Sequence, residues 1–191
     1  LTVLYNPIDF DAIRDTEPAG HKQPQTGDPV FKIVTMGRLT EAKDHRTLLR
    51  AVAGAAKASP VHLTILGDGP LRGELKGLAT ELGIGEMVDF KGFVANPYAT
   101  LRDADLFVLS SRWDGLPTAL IEAMGCGLPV VSTRCPHGPV EIVEDGKTGL
   151  LVPPGDPGAL ARAMRRLADA PDLRKKLAAN GREDVVQRFS A

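Results

Sequence analysis

The chain has 191 residues, enough for one domain with a sizeable core, and its formal net charge is −1. That balance gives no overall positive field to draw it to nucleic acid or to an anionic membrane. No apolar run approaches the roughly 18 residues of a membrane span, and Cys126 and Cys135 are too few for a disulfide framework or a thiolate metal site.

The chain opens on a strand-like run, Leu1-Thr2-Val3-Leu4-Tyr5, followed by Asn6-Pro7, and reads as the interior of a longer protein. Residues 11–29 are polar, carry Pro18, Pro24 and Pro29, and read as a linker or excursion. From Phe31 a rhythm begins, in which short apolar runs alternate with segments of helical period. Strands are predicted at Phe31–Met36, Val61–Leu66, 88–91, 106–110, 129–133 and 149–152. Asp44 caps a predicted helix running to Lys57, with Leu48, Leu49, Val52 and Ala56 on one face. Pro70 opens another, with Leu71, Leu75, Leu78 and Leu82 inward. Short helices are expected at 96–102, 117–124 and 139–144. The tail from Asp156 to Phe189 reads as helical, broken at Pro171 and near Gly181.

Strands apolar throughout and separated by helices imply a parallel sheet covered on both faces. With right-handed crossovers this is an α/β, Rossmann-like doubly wound domain. Ligands bind such sheets beyond the carboxyl ends of the strands. The residues of interest are therefore in the loops after each strand, and most of these loops are rich in Gly or Pro.

Three of those loops carry chemistry. In Gly37-Arg38-Leu39-Thr40-Glu41-Ala42-Lys43-Asp44, two cations precede a helix N-terminus. They are either an anion site or two solvated surface charges. In the segment from Ser110 to Val131, the apolar helix after Pro117 holds one charge, Glu122. A lone carboxylate there needs a partner, such as a vicinal diol, or a structural cation. Asp114 lies at the mouth of the same helix, where the amides of Leu116 to Thr118 favour an anion; alternatively Asp114 merely caps the helix. In Cys135 to Pro153, most residues read as structural, with His137 and Gly138 at the cleft rim. No Ser/His/Asp arrangement, P-loop or paired-glycine dinucleotide fingerprint is legible.

These elements in this order resemble the C-terminal domain of the retaining glycosyltransferases of family 4, the glycosyl transferases group 1, with the two-domain GT-B fold. The matching text is Gly37-Arg38-Leu39 with Lys43-Asp44, Gly67-Asp68-Gly69-Pro70, Val88 to Gly92, Ala104 to Ser111, Asp114 to Glu122 with Gly125 to Val131, and Glu141 to Pro153. Tyr5-Asn6-Pro7-Ile8-Asp9 is similar to that family's interdomain hinge. The resemblance divides the chain into a hinge and linker at 1–29 and a nucleotide-sugar-binding domain at 30–191, with an N-terminal acceptor-binding domain outside this sequence. It implies a UDP- or GDP-sugar donor substrate and no cofactor.

By the same resemblance, Arg38 and Lys43 hold the donor diphosphate, with Gly37 beside them. Glu122 bonds the ribose hydroxyls. Asp114 lies near the donor sugar as the first acid of the E-x7-E motif, one methylene shorter than the family's usual Glu. Gly115, Leu116, Pro117 and Thr118 meet phosphate and sugar, and Gly92, Phe93 and Val94 meet the base. The chain is read as lacking an Asp-x-Asp metal motif, so a metal-independent transferase is expected. Retention is expected to proceed by same-face attack, with the leaving phosphate helping to take the proton. The acceptor is expected to be a carbohydrate or lipid-linked carbohydrate in surface polysaccharide or glycolipid synthesis. The expected location is cytoplasmic, peripheral to the inner membrane face through the missing domain. The final helix reads as a truncated cross-over, and the isolated domain is expected to bind nucleotide weakly and to catalyse little. The competing readings are a nucleotide-sugar epimerase on the same fold and a non-catalytic binding module.

Overall fold

The computed structural model describes Phe10, Ile13 and residues 30–190. The expected hinge and nearly all of the expected linker lie outside these residues.

Among the described residues, six strands, β1 (Phe31–Met36), β2 (Val61–Leu66), β3 (Val88–Gly92), β4 (Leu106–Leu109), β5 (Val130–Thr133) and β6 (Leu150–Val152), form one sheet. Its order is β3-β2-β1-β4-β5-β6 and every pair is parallel. Over residues 30–190, seven α-helices accompany the strands: α1 (His45–Ala56), α2 (Arg72–Glu81), α3 (Tyr98–Arg102), α4 (Thr118–Gly125), α5 (Pro139–Ile142), α6 (Pro157–Asp169) and α7 (Pro171–Phe189). The doubly wound α/β class read from the sequence is the class observed, and strand ends differ from expectation by a residue or so.

Alternation along each strand sends successive side chains to opposite faces. Ile33, Leu63, Val108 and Val131 face a core closed by Leu48, Leu49 and Val52 of α1, Leu75 of α2, and Leu160, Met164 and Leu167 of α6. Val34, Phe107, Leu109 and Val130 face a second core closed by Leu120, Ile121 and Met124 of α4 and Val185 and Phe189 of α7. β4 and β6 are apolar throughout, and the centres of β1, β2 and β5 are buried, with Thr35, Thr64, Ser132 and Thr133 as their small polar members, because both faces are covered. β3 is the exception: it lies at the sheet edge, and its side chains alternate between half-buried and exposed.

The expected break near Gly181 does not occur, since α7 runs unbroken through it. Gly181 belongs to the buried stripe Leu177, Gly181, Val185 and Phe189. A Cβ there would stand 2.8 Å from the Thr148 carbonyl oxygen and 3.2 Å from Met124 Cε. The glycine is therefore a close-approach residue, and neighbouring helix formers carry the helix through it. Gly181→Val is expected to destabilise the domain by about 2 kcal/mol or more, lowering Tm by about 4–8 °C. A thermal melt showing an unchanged or higher Tm would contradict this packing role. The break at Pro171 is present: α6 ends at Asp169, and Ala170, at φ −124° and ψ 78°, is non-helical between the two helices.

The strand order reverses between β1 and β4. From β1 the chain winds out to β2 and β3; from β4 it winds the other way, to β5 and β6. The loops after β1 and β4 thus diverge and leave a crevice at the carboxyl edge, the usual ligand position in such sheets.

Candidate functional site

One wall of the crevice is the loop from Gly37 to Asp44. It leaves β1, makes a short 3-10 turn at Glu41–Lys43, and enters α1 through Asp44. Asp44 is left-handed at φ 44°, a conformation that Asp tolerates better than most residues. Its carboxylate accepts hydrogen bonds from the Thr47 amide at 3.3 Å and the Thr47 hydroxyl at 2.8 Å, capping α1 as predicted. It also receives Arg112 Nε at 2.9 Å, from the loop after β4. Two further bonds join the loops: Arg112 N–H donates to the Ala42 carbonyl at 2.8 Å, and the Ser110 hydroxyl to the Lys43 carbonyl at 2.8 Å. Arg112 and Asp44 are thus structural and fix the backbone on which Lys43 stands. The sequence analysis did not find this tie, because its members are 68 residues apart.

The opposite wall is the loop from Ser111 to Pro117 and the first turns of α4. Asp114 does not cap α4. Its Oδ2 receives Lys43 Nζ at 2.5 Å and the Ser111 hydroxyl at 3.0 Å. No side chain caps α4, whose N-terminal amides follow Leu116 and Pro117. One turn further in, Glu122 is half-buried, and burial pushes its carboxyl pKa above the ordinary value. No cation or hydrogen-bond donor among the described residues reaches it, so none of them supplies the structural cation considered from the sequence. Arg38 is exposed and likewise has no ion-pair partner among the described residues.

Arg38, Lys43, Asp114 and Glu122 line one cleft of about 360 Å³, together with Gly37, Leu116, Pro117 and Thr118. Met36, Gly37 and Arg38 are also the shared wall of an adjoining hollow of about 380 Å³, lined beyond them by Leu66, Gly67, Asp68, Phe93 and Val94. Phe93 is 84% exposed at its rim. Two of the predicted residues stand apart from the lining. Gly92 is buried with φ 75°, and its carbonyl accepts the Gly67 amide at 2.7 Å; it sets the turn that presents Phe93. Gly115 is exposed, and its carbonyl lies so close to Gly138 that a Cβ on Gly138 would come within 1.9 Å of it. Gly138, at φ 44°, therefore buttresses the loop of Asp114 from behind. His137 is exposed and lines neither hollow.

Gly67 and Asp68, which sequence reasoning could not assign a role, line the second hollow. The signal was present: a Gly-x-Gly-Pro string directly after a strand, beside the same sheet edge. The metal reading needs correction, since the chain contains two Asp-x-Asp strings: Asp9-Phe10-Asp11, whose aspartates lie outside the described residues, and Asp103-Ala104-Asp105. The latter lies just before β4, at the amino edge of the sheet and away from the cleft. There Asp103 pairs with Lys32 Nζ at 3.1 Å, and Asp105 accepts the Lys32 amide at 2.9 Å. Both carboxylates tie the start of β1 to that of β4. Among the described residues, no helix is long and apolar enough to cross a membrane.

A crevice at a switch point, with two cations, exposed helix amides and a carboxylate unpartnered among the described residues, has the groups to suit a polyanion that also carries hydroxyls. The chain is 36% identical over 181 residues, 95% of its length, to the lipopolysaccharide core biosynthesis glycosyltransferase LpsD of Rhizobium meliloti, of which it covers 52%. The chain thus spans about half the length of that relative. Anabaena Alr3699/HepE, solved in complex with UDP-glucose, matches with a TM-score of 0.79 at 28% identity, over 84% of this chain and 45% of that one. The fold of the C-terminal domain of LpcC, a glycosyl transferase group 1 protein of Francisella tularensis, matches with a TM-score of 0.81 at 24% identity, over 96% of this chain and 98% of that one. The family described as Glycosyl transferases group 1 matches residues 17–184, and the chain belongs to it.

Proposed function

We propose that this domain holds the nucleoside-diphosphate sugar donor of a retaining, metal-independent hexosyltransferase. The observation that carries the reading is one crevice in which two cations, an open helix N-terminus and a carboxylate unpartnered among the described residues meet an adjoining hollow. Arg38 and Lys43, with the first amides of α4, take the diphosphate. Glu122 accepts from the ribose hydroxyls, Asp114 faces the glycosyl group, and the hollow beneath Phe93 and Val94 takes the base. A UDP-sugar is the proposed donor, because a structural relative at 28% identity was solved with UDP-glucose.

Transfer breaks the bond between the anomeric carbon and the diphosphate, and negative charge grows on the leaving oxygen. Fixed cations and amides already aimed at that charge stabilise it without reorganisation. Spanning about half of its relative LpsD, the domain is proposed to bind donor but to catalyse little by itself. The acceptor, a carbohydrate or lipid-linked carbohydrate of a surface polysaccharide, is held in this reading by the N-terminal domain of the same polypeptide. The proposed place of action is the cytoplasmic face of the inner membrane.

Calorimetric titration of the 191-residue chain with UDP, GDP and ADP tests the donor assignment. UDP is expected to bind more tightly than the other two. Equal affinity for all three would overturn the assignment of the base hollow, and binding of none would overturn the site.

A further inference from the structure

The two cations of the cleft are not equally available. Arg38 has no ion-pair partner among the described residues, whereas Lys43 is engaged by Asp114 at 2.5 Å, with the two side chains 22% and 11% exposed. The next cation along the Asp114 loop, Arg112, is committed to Asp44. Among the described residues, Lys43 is therefore the one positive charge paired with the Asp114 carboxylate. Ser111 supplies a single neutral hydrogen bond to the same oxygen. A buried carboxylate stripped of its cation is unfavourable unless other donors replace it. A lysine ammonium is a compact charge on a flexible stem and can turn from one oxygen to another.

We propose that Lys43 is exchanged between Asp114 and the donor. The diphosphate draws Lys43 away, and the freed Asp114 carboxylate accepts hydrogen bonds from the hydroxyls of the glycosyl group carried on that same diphosphate. The inference rests on the donor-site reading above and adds a coupling within it. A sugar nucleotide satisfies both halves of the broken pair. The nucleoside diphosphate left after transfer satisfies only Lys43 and leaves Asp114 short of donors. Asp114 then competes for Lys43 and favours release of the product. The cleft thus discriminates donor from product by what happens to one carboxylate.

The test is titration of the 191-residue chain and its Asp114→Asn variant with UDP and with UDP-glucose. Asp114→Asn keeps the shape of the side chain and removes its hold on Lys43. It is expected to bind UDP about 3- to 10-fold more tightly than the unaltered chain, with no such gain for UDP-glucose. Removing a negative charge anywhere near the cleft would also help an anion, so the comparison is repeated in a Lys43→Met background. There the exchange predicts that the gain disappears, while a general field effect would persist. Asp114→Ala carries the same prediction should the Asn variant fold poorly. UDP binding that is unchanged or weakened in the variants, with the unaltered chain binding normally, overturns the exchange and leaves the donor site standing. If the unaltered chain binds neither UDP nor GDP, the donor site falls and the exchange falls with it.

Discussion

Arg38→Ala is expected to weaken UDP binding by about 10- to 100-fold, and Lys43→Met is expected to weaken it by less. A hydrogen bond to a charged group contributes roughly 1.5–3 kcal/mol net, and each 1.4 kcal/mol is about tenfold in affinity. The difference between the two residues comes from where each cation starts. Arg38 is exposed, with no ion-pair partner among the described residues, so its contact with phosphate is gained with little local loss. Lys43 leaves an ion pair with Asp114 to reach the same ligand. Removing Lys43 removes both the contact and the bond that had to be broken for it. Each substitution should also flatten the salt dependence of UDP binding, since one screened charge is lost. Titration at two ionic strengths, alongside melts that show both variants folded, measures this. A larger loss in Lys43→Met than in Arg38→Ala would reverse the expected order and make Lys43 the dominant anchor.

Glu122→Gln should move stability and affinity in opposite directions. Burial raises the Glu122 carboxyl above its ordinary value of 4.5, and no cation offsets it among the described residues. A carboxyl raised in the folded state stabilises the fold below its unfolded pKa, and that contribution is lost as pH rises through the folded value. Near pH 4 the native side chain is already largely neutral, and the substitution changes little. At pH 7 to 8 the native chain carries the half-buried charge and the glutamine variant does not. The variant should therefore melt higher there, by about 1–3 °C for a domain of this size with a partly solvated group. In the same buffer it should bind UDP about tenfold more weakly, because a charged acceptor for the ribose hydroxyls becomes a neutral one. Melts at pH 4, 6 and 8 with a UDP titration at pH 7.5 cover both halves. A Tm gain as large at pH 4 as at pH 8 would show that charge burial is not the cause, and undiminished UDP affinity would remove Glu122 from the nucleotide site.

The layered architecture was legible because strands covered on both faces are dominated by apolar residues, as Leu106 to Leu109 are at every position and Val130 to Thr133 are apart from the small hydroxyls of Ser132 and Thr133. The charged residues of the cleft were legible for the converse reason. Arg38, Lys43, Asp114 and Glu122 sit in or beside loops that the fold class places at the carboxyl edge. What could not be read is pairwise. Lys43 and Asp114 are 71 residues apart, and nothing in local pattern says that they meet. The same holds for Arg112 with Asp44. Gly181 misled because a glycine in a helix and a glycine ending one look alike until the neighbouring Thr148 carbonyl is in view. Asp103-Ala104-Asp105 shows the reverse hazard, since only its place at the amino edge separates a sheet tie from a metal motif.

The crevice lies between two strands that adjoin in space but not in sequence, with β1 pairing to β4 through Ile33 with Leu106 and Val34 with Phe107. The whole β2 and β3 arm intervenes, so this pairing closes a loop of some seventy residues and belongs to the slow, non-local part of folding. Neither arm alone carries the cleft: Arg38 and Lys43 belong to one side of that closure, Asp114 and Glu122 to the other. No partly folded species lacking the central pairing can hold the ligand through both walls. On the proposed donor site, nucleotide capture during refolding would be a clock for the moment the sheet closes, and bound nucleotide would protect the whole domain against global opening rather than one loop against fraying.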